Sequence, residues 1–143
     1  MLQTLSYHCT ALYRSFTDYT SRRLQEIGMS YGALFVIIYI GKHPGCTQGE
    51  LTQALRLDWG YCQRTIVRLV EDGFLTRERV GRAYHLDLRE KGQQAFAISH
   101  QVFFDWDDQA MAGLNIQERE QLIKLLNKVT CQEGTSPLCT IQS

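Results

Sequence analysis

The chain has 143 residues, 44% of them apolar and 21% charged. That is enough for one domain with a real core, and the composition excludes a disordered chain. Its 15 basic and 15 acidic side chains cancel, so no global basic excess points to a nucleic-acid partner, and what matters is where the charges sit. The most apolar run, 33–40, is far shorter than the roughly 20 residues a membrane helix needs. The N-terminus, MLQTLSYHCTALYR, lacks the basic start and apolar core of a signal peptide. The five cysteines (Cys9, Cys46, Cys62, Cys131, Cys139) form no CxxC pair and no zinc spacing, which indicates reduced thiols in a cytoplasm.

Residues 2–27 read as a first helix, with Leu5, Leu12, Phe16, Tyr19 and Leu24 at helical spacing and Gly28 as its stop. Ser30 is placed to cap a second helix, YGALFVIIYIGKH, which is apolar nearly all round and therefore expected in the middle of the fold. Thr47-Gln48-Gly49-Glu50 has the form of a capping box, opening a short helix with Leu51, Ala54 and Leu55 inward. Arg56-Leu57 turns the chain, and Asp58 caps the next helix. Gly73 sits where a left-handed residue ends that helix. The period then changes. Runs 74–79 and 83–88 read as two strands of a hairpin around Val80-Gly81, with Arg79 and Arg82 bracketing the tip. A long helix is expected over 93–112, carrying Phe96, Val102, Phe103, Trp106 and Met111 and closed by Gly113. Asn115-x-x-Glu118 reads as a cap for a last helix to about Lys128, and the polar tail 131–143 is expected to be loose.

The helix from Asp58 to Asp72 carries the functional signal. Trp59, Cys62, Ile66, Leu69 and Val70 follow the spacing of one buried stripe, leaving Gly60, Tyr61, Arg64 and Arg68 outward with Gln63 and Thr65 on the flanks. An exposed charged face on a helix is ordinarily just a solvated face. Here it follows a capped short helix and a tight turn, and precedes a hairpin with a basic tip, which is the order of a winged helix-turn-helix. A helix fits the major groove, so Gln63 and Thr65 are candidate base readers, Arg64 a base or phosphate contact and Arg68 a phosphate contact. Tyr61 is placed to stack on sugar or donate to a phosphate, and Arg79 and Arg82 form the wing's basic tip.

The chain resembles the MarR family of transcriptional regulators over nearly its whole length. The resemblance runs through LYRSFTDYTSRRLQEIGMSYGALFVIIYI, TQGELTQALRLD, QRTIVRLVEDGFLTRE and GRAYHLDLREKG, the last two blocks being the most specific. It implies a mainly α fold with a small β-hairpin wing, in one domain spanning 1–143. Segments 1–28 and 93–130 would form dimerisation helices around a winged helix-turn-helix lobe at 30–92. It further implies a homodimer on a near-palindromic double-stranded DNA operator, and repression relieved by a small-molecule effector or oxidant. One departure stands out. Family wings carry an Asp-x-x-Asp-Arg-Arg-like tip, whereas here the tip is shortened to Arg79-Val80-Gly81-Arg82 and lacks the acidic partner of the wing arginine. Greater reliance on Arg64 and Arg68 follows.

Cys9-Thr10-Ala11-Leu12-Tyr13 resembles the segment around the sensing cysteine of the peroxide-responsive branch of the family, which also uses tyrosines near the start of the second helix, where Tyr31 stands. Cys9, Tyr13 and Tyr31 are therefore the effector or redox candidates, and Tyr13, Tyr31 and Tyr39 are candidates to line a ligand cavity. Cys62 reads as a small core hydrophobe. The Asp105, Asp107, Asp108 group reads as an exposed acidic face, with Trp106 pointing into a dimer core. The dispersed His8, His43, His85 and His100 support no metal site, and no nucleophile–base pair or phosphate loop supports an enzyme or a cofactor. The remaining alternative is a winged-helix module that binds protein in place of DNA.

Overall fold

The apolar run 33–40 becomes the centre of the molecule. In the computed structural model, which describes residues 3–131, it lies in α2 (Tyr31–Lys42), where Ala33, Leu34, Val36, Ile37, Ile38 and Ile40 are all buried. A helix buried on this many sides must be wrapped by other elements. It packs against α1 (Leu5–Gln25), α3 (Gln48–Leu55), α4 (Trp59–Glu71), β3 (Ala83–Leu88) and α5 (Glu90–Ala110), while β1 (Cys46–Thr47) and β2 (Leu75–Val80) flank β3 in a small sheet. A last helix, α6 (Ile116–Thr130), buries none of its residues. No helix among the described residues is long and apolar enough to cross a membrane. Of the tail expected over 131–143, residues 132–143, with Cys139, lie outside the described residues.

The punctuation signals act as local physics requires. In the capping box, Glu50 N donates to Thr47 Oγ1 and Thr47 N to Glu50 Oε2, both at 3.1 Å. Tyr61 N donates to Asp58 Oδ2 at 3.0 Å, starting α4, and Glu118 N donates to Asn115 Oδ1 at 2.8 Å, starting α6. Gly73 adopts φ +84°, the left-handed conformation that ends α4 and turns the chain into β2. Arg56, in the turn between α3 and α4, takes φ 51° with a full side chain.

Several boundaries shift. Ser30 occupies the position before α2, but its side chain makes no capping hydrogen bond. The long helix starts at Glu90, three residues earlier than expected, and ends at Ala110, before Gly113. The hairpin gains a third strand, β1, giving the order β1-β3-β2 with Cys46 opposite Leu86 and Thr47 opposite His85. A two-residue strand has no alternation to detect. The acidic cluster is not one solvated face. Asp105 Oδ2 accepts from Arg23 Nη1 at 2.9 Å, bridging α5 to α1, while Asp108 pairs with Arg119 at 3.4 Å, bridging α5 to α6. The Gln101 hydrogen bond and then the Arg23 guanidinium hold the Asp105 carboxyl below its ordinary range. Trp106 joins α1 within the same chain, its Nε1 donating to Ser15 Oγ at 3.2 Å and its ring edge-on to Phe16.

Two close approaches fix α5. The Phe96 ring lies against Gly41 of α2, and the Phe74 carbonyl lies against Gly92, so a Cβ at either glycine would overlap its neighbour. Gly92 meets backbone, which cannot rotate away as a side chain can. We expect Gly92→Ala to lower unfolding stability by about 1–3 kcal/mol, as overpacking does. Gly49→Ala, on the open first turn of α3 with nothing nearer than 3.9 Å, should leave stability unchanged or raise it by up to about 1 kcal/mol. Urea unfolding midpoints of the two variants measure the contrast.

Candidate nucleic-acid interface

The outward face of α4 is defined by what its inward face buries. Cys62, Ile66 and Leu69 are buried and Val70 is half-buried, as their spacing predicts. Trp59 departs from the expected stripe. It is 52% exposed, in the first turn of α4. The Thr52 hydroxyl, 3.1 Å from Cys62 Sγ and 2.7 Å from the Gln48 carbonyl oxygen, ties α3 to α4 and sets their relative rotation. Burial pushes the Cys62 thiol up, and burial followed by the Glu50 charge pushes Cys46 up to about 11. Both are neutral thiols at pH 7, packed as small apolar groups.

With that face held inward, Gln63, Arg64 and Arg68 are exposed, together with Tyr61 at 40%. Gln63, Arg64 and Arg68 border an open groove along α4 with Gly60, Val67, Glu71 and Asp72. Arg68 is 85% exposed, and its 4.0 Å approach to Asp72 is a weak surface pair that a phosphate can displace. Charge is graded along the helix. The arginines lie in the middle, Glu71 and Asp72 at the C-terminal end, and the positive end of the helix dipole at Trp59. The Asp58 carboxylate already caps that end, so a polyanion is favoured in the middle of the helix, beside Arg64 and Arg68.

Two of the expected contact residues have additional ties. Thr65 is half-buried, and its hydroxyl donates to the Tyr61 carbonyl at 2.9 Å, leaving a methyl and an acceptor to present outward. The Tyr61 hydroxyl lies against Gly32 in the first turn of α2, where a Cβ would overlap it. Tyr61 thus braces α4 against the central helix as well as facing solvent.

At the wing, Val80 pairs with Ala83 across Gly81-Arg82, and Gly81 takes φ +64° to close the turn. Arg79 and Arg82 are exposed, as expected for a basic tip, and Arg79 Nε donates to the Gly81 carbonyl at 3.2 Å. Sequence reasoning missed Arg77. Its guanidinium carbon sits 3.8 Å from the centre of the Tyr84 ring. The available signal was parity, since Arg77 and Arg79 share one face of β2.

The effector candidates separate. Cys9 and Tyr13 are exposed on α1 and, four residues apart, share a face. Tyr31 is half-buried in an aromatic cluster with Phe16 and Phe35, to which Phe103 and Trp106 contribute from α5. Burial, then the nearby Tyr13, raises the Tyr31 hydroxyl above its ordinary value. Tyr39 does not join them. It stacks on His43 at 4.3 Å at the other end of α2, two turns away. Among the described residues, no group of three His, Cys, Asp or Glu side chains gathers as metal ligands.

Helix, turn, outward-facing helix and short basic hairpin, set on a buried central helix, define a winged helix-turn-helix protein. A family model described as the MarR family matches residues 27–83, from just before α2 to the start of β3. The HTH-type transcriptional regulator BilQ of Clostridium symbiosum is 41% identical over 132 residues, covering 90% of this chain and 92% of that one. Among solved structures, the reduced form of MarR from E. coli superposes with a TM-score of 0.81 at 22% identity, covering 90% of this chain and 98% of that one. A Mycobacterium tuberculosis MarR family protein solved in complex with DNA superposes with a TM-score of 0.75 at 16% identity, with the same coverage. The chain belongs to the MarR family and is a DNA-binding transcriptional regulator.

The Tyr61 brace makes a specific prediction. Gly32→Ala should push the Tyr61 hydroxyl off α2 and release this brace on α4, weakening binding to duplex DNA at low salt several-fold while the circular dichroism spectrum stays parental. Fluorescence anisotropy with labelled duplex measures it, and unchanged affinity would remove Tyr61 from any positioning role.

Proposed function

We propose that the chain acts in the cytoplasm as a homodimeric repressor whose two α4 helices enter successive major grooves of a near-palindromic operator, about 34 Å apart. The observation that carries this reading is the division of α4, with Cys62, Ile66 and Leu69 sealed inside and Gln63, Arg64 and Arg68 free outside. Gln63 has the paired donor and acceptor that match an adenine edge. Thr65 presents its methyl to a base, Arg64 reaches a base edge or phosphate, and Arg68, Arg79, Arg82 and Tyr61 contact backbone.

Dimerisation is supported by unpartnered apolar surface on the outer helices. Leu5 and Leu12 on α1, Phe104 on α5, and Ile116, Leu125 and Val129 on α6 all stand exposed. So much apolar surface on three neighbouring segments marks an interface. Release is assigned to a small apolar or aromatic effector at the cluster around Tyr31, where α1, α2 and α5 meet. A ligand there that prefers one spacing of the lobes shifts the population away from the operator-bound state.

The short wing shifts weight onto α4. Arg68→Ala and Arg64→Ala are each expected to weaken duplex binding by about 1–3 kcal/mol and to flatten its salt dependence, the slope of log K against log salt falling by about 0.9 per phosphate lost. Arg82→Ala should cost less than either. Titrations at several salt concentrations check this. If Arg82→Ala abolishes binding while Arg68→Ala is mild, the weighting is wrong. If affinity is indifferent to salt, the protein-binding alternative for this winged helix is favoured instead.

A further inference from the structure

The wing carries a pair of arginines organised by an aromatic ring in place of a carboxylate. In the register of β2 and β3, Arg77 opposes Leu86 and Arg79 opposes Tyr84. Side chains alternate across a strand, so Leu75, Arg77 and Arg79 share one face with Leu88, Leu86 and Tyr84. Glu78 and Asp87, the hairpin's acids, fall on the other face with Thr76 and His85. The face bearing the two arginines therefore has no negative charge of its own. Tyr84 is directly across from Arg79 and diagonal to Arg77, within reach of both. The guanidinium carbons lie 3.8 Å (Arg77) and 6.0 Å (Arg79) from the ring centre.

Neither arginine forms an ion pair among the described residues. Arg77 Nε is enclosed without a hydrogen-bond partner, so the stack on Tyr84 holds the group that a carboxylate would otherwise hold. The difference matters for function. A carboxylate neutralises an arginine, whereas a ring face orients it and leaves its full charge and its terminal N–H donors available. Two guanidiniums arranged around one ring, one of them further tethered by Arg79 Nε to the Gly81 carbonyl, form a pre-oriented dication. Arg79 was expected to act at the tip alone, and Arg77 and Tyr84 had no assigned role.

We propose that Tyr84 is a positioning residue that sets Arg77 and Arg79 as a paired phosphate clamp, making the side of the shortened wing its main contact with the DNA backbone. This rests on the DNA-binding reading, and the ligand chemistry is that of adjacent phosphates on a duplex strand. The hydroxyl of Tyr84 is not required. The ring face is.

The test compares Tyr84→Leu, Tyr84→Phe and Arg77→Gln in the full chain, titrating a labelled mixed-sequence duplex over a range of salt concentrations. Tyr84→Leu should bind at least about 5-fold more weakly at low salt and show a slope of log K against log salt shallower by about 1–2, one or two phosphate contacts being lost at about 0.9 each. Tyr84→Phe should match the parent in affinity and slope. Arg77→Gln, which keeps a polar side chain and spares the strand, should make the slope shallower by about 0.9 even if Tyr84→Leu folds poorly. A parental slope in both Tyr84→Leu and Arg77→Gln overturns the clamp. So does Tyr84→Phe failing as badly as Tyr84→Leu. If the parent protein ignores the duplex at low salt, the DNA-binding reading fails with it, whereas parental binding with unaffected variants overturns the clamp alone.

Discussion

The packing of three side chains on α4 governs the rest of the molecule. Cys62, Ile66 and Leu69 occupy one stripe and are sealed against the core. A helix has a single rotation that buries such a stripe, and that rotation fixes which residues reach water. Gln63, Arg64 and Arg68 are outside because Cys62, Ile66 and Leu69 are inside. The Thr52 hydroxyl beside Cys62 and the Tyr61 hydroxyl against Gly32 pin the same rotation from two further directions, toward α3 and toward α2. The outward face of α4, the proposed recognition surface, is thus a consequence of the core rather than a separate feature laid on it.

The same core connects the reading surface to the outer helices. α2 lies between them, braced by Tyr61 at its first turn and lined there by Tyr31, Phe16 and Phe35. Phe103 and Trp106 extend that aromatic cluster onto α5, and the Arg23–Asp105 bridge ties α5 to α1. Tyr31 and Gly32 are adjacent in sequence. A change in packing around one is therefore felt at the seat of the other, since close-packed interiors transmit strain. That adjacency gives the proposed effector site a short physical route to α4.

The fold was legible where one residue type has one local use. The Thr47–Glu50 and Asn115–Glu118 boxes, the Asp58 cap and Gly73 at φ +84° all followed from spacing alone. What was not legible depends on tertiary partners. β1 is two residues long and exists only because β3 pairs with it. Trp59 fits the apolar stripe by period but stands exposed in the first turn of α4. Asp105 and Asp108 read as one acidic patch until α1 and α6 supply separate arginines. In the site, the outward residues of α4 could be named from periodicity, while the Tyr61 brace, the back-bonded Thr65 hydroxyl and the Arg77–Tyr84 stack required knowing which element packs across from each. Net charge was uninformative, because the acids sit at the two ends of α4 and on one face of the hairpin, which leaves basic surfaces on a neutral chain.

Whether the outward face of α4 reads DNA is decided by a selection of bound sequences from random duplex DNA, run in parallel with the purified parent and with Gln63→Ala. The parent should enrich two inverted half-sites with centres about 10–10.5 base pairs apart. Gln63→Ala should keep this spacing but lose the preference at one base pair in each half-site, because only the contact made by that side chain has been removed. The same enriched motif from both proteins, or no enrichment by the parent, would contradict the assignment of the outward face of α4 as the surface that reads DNA.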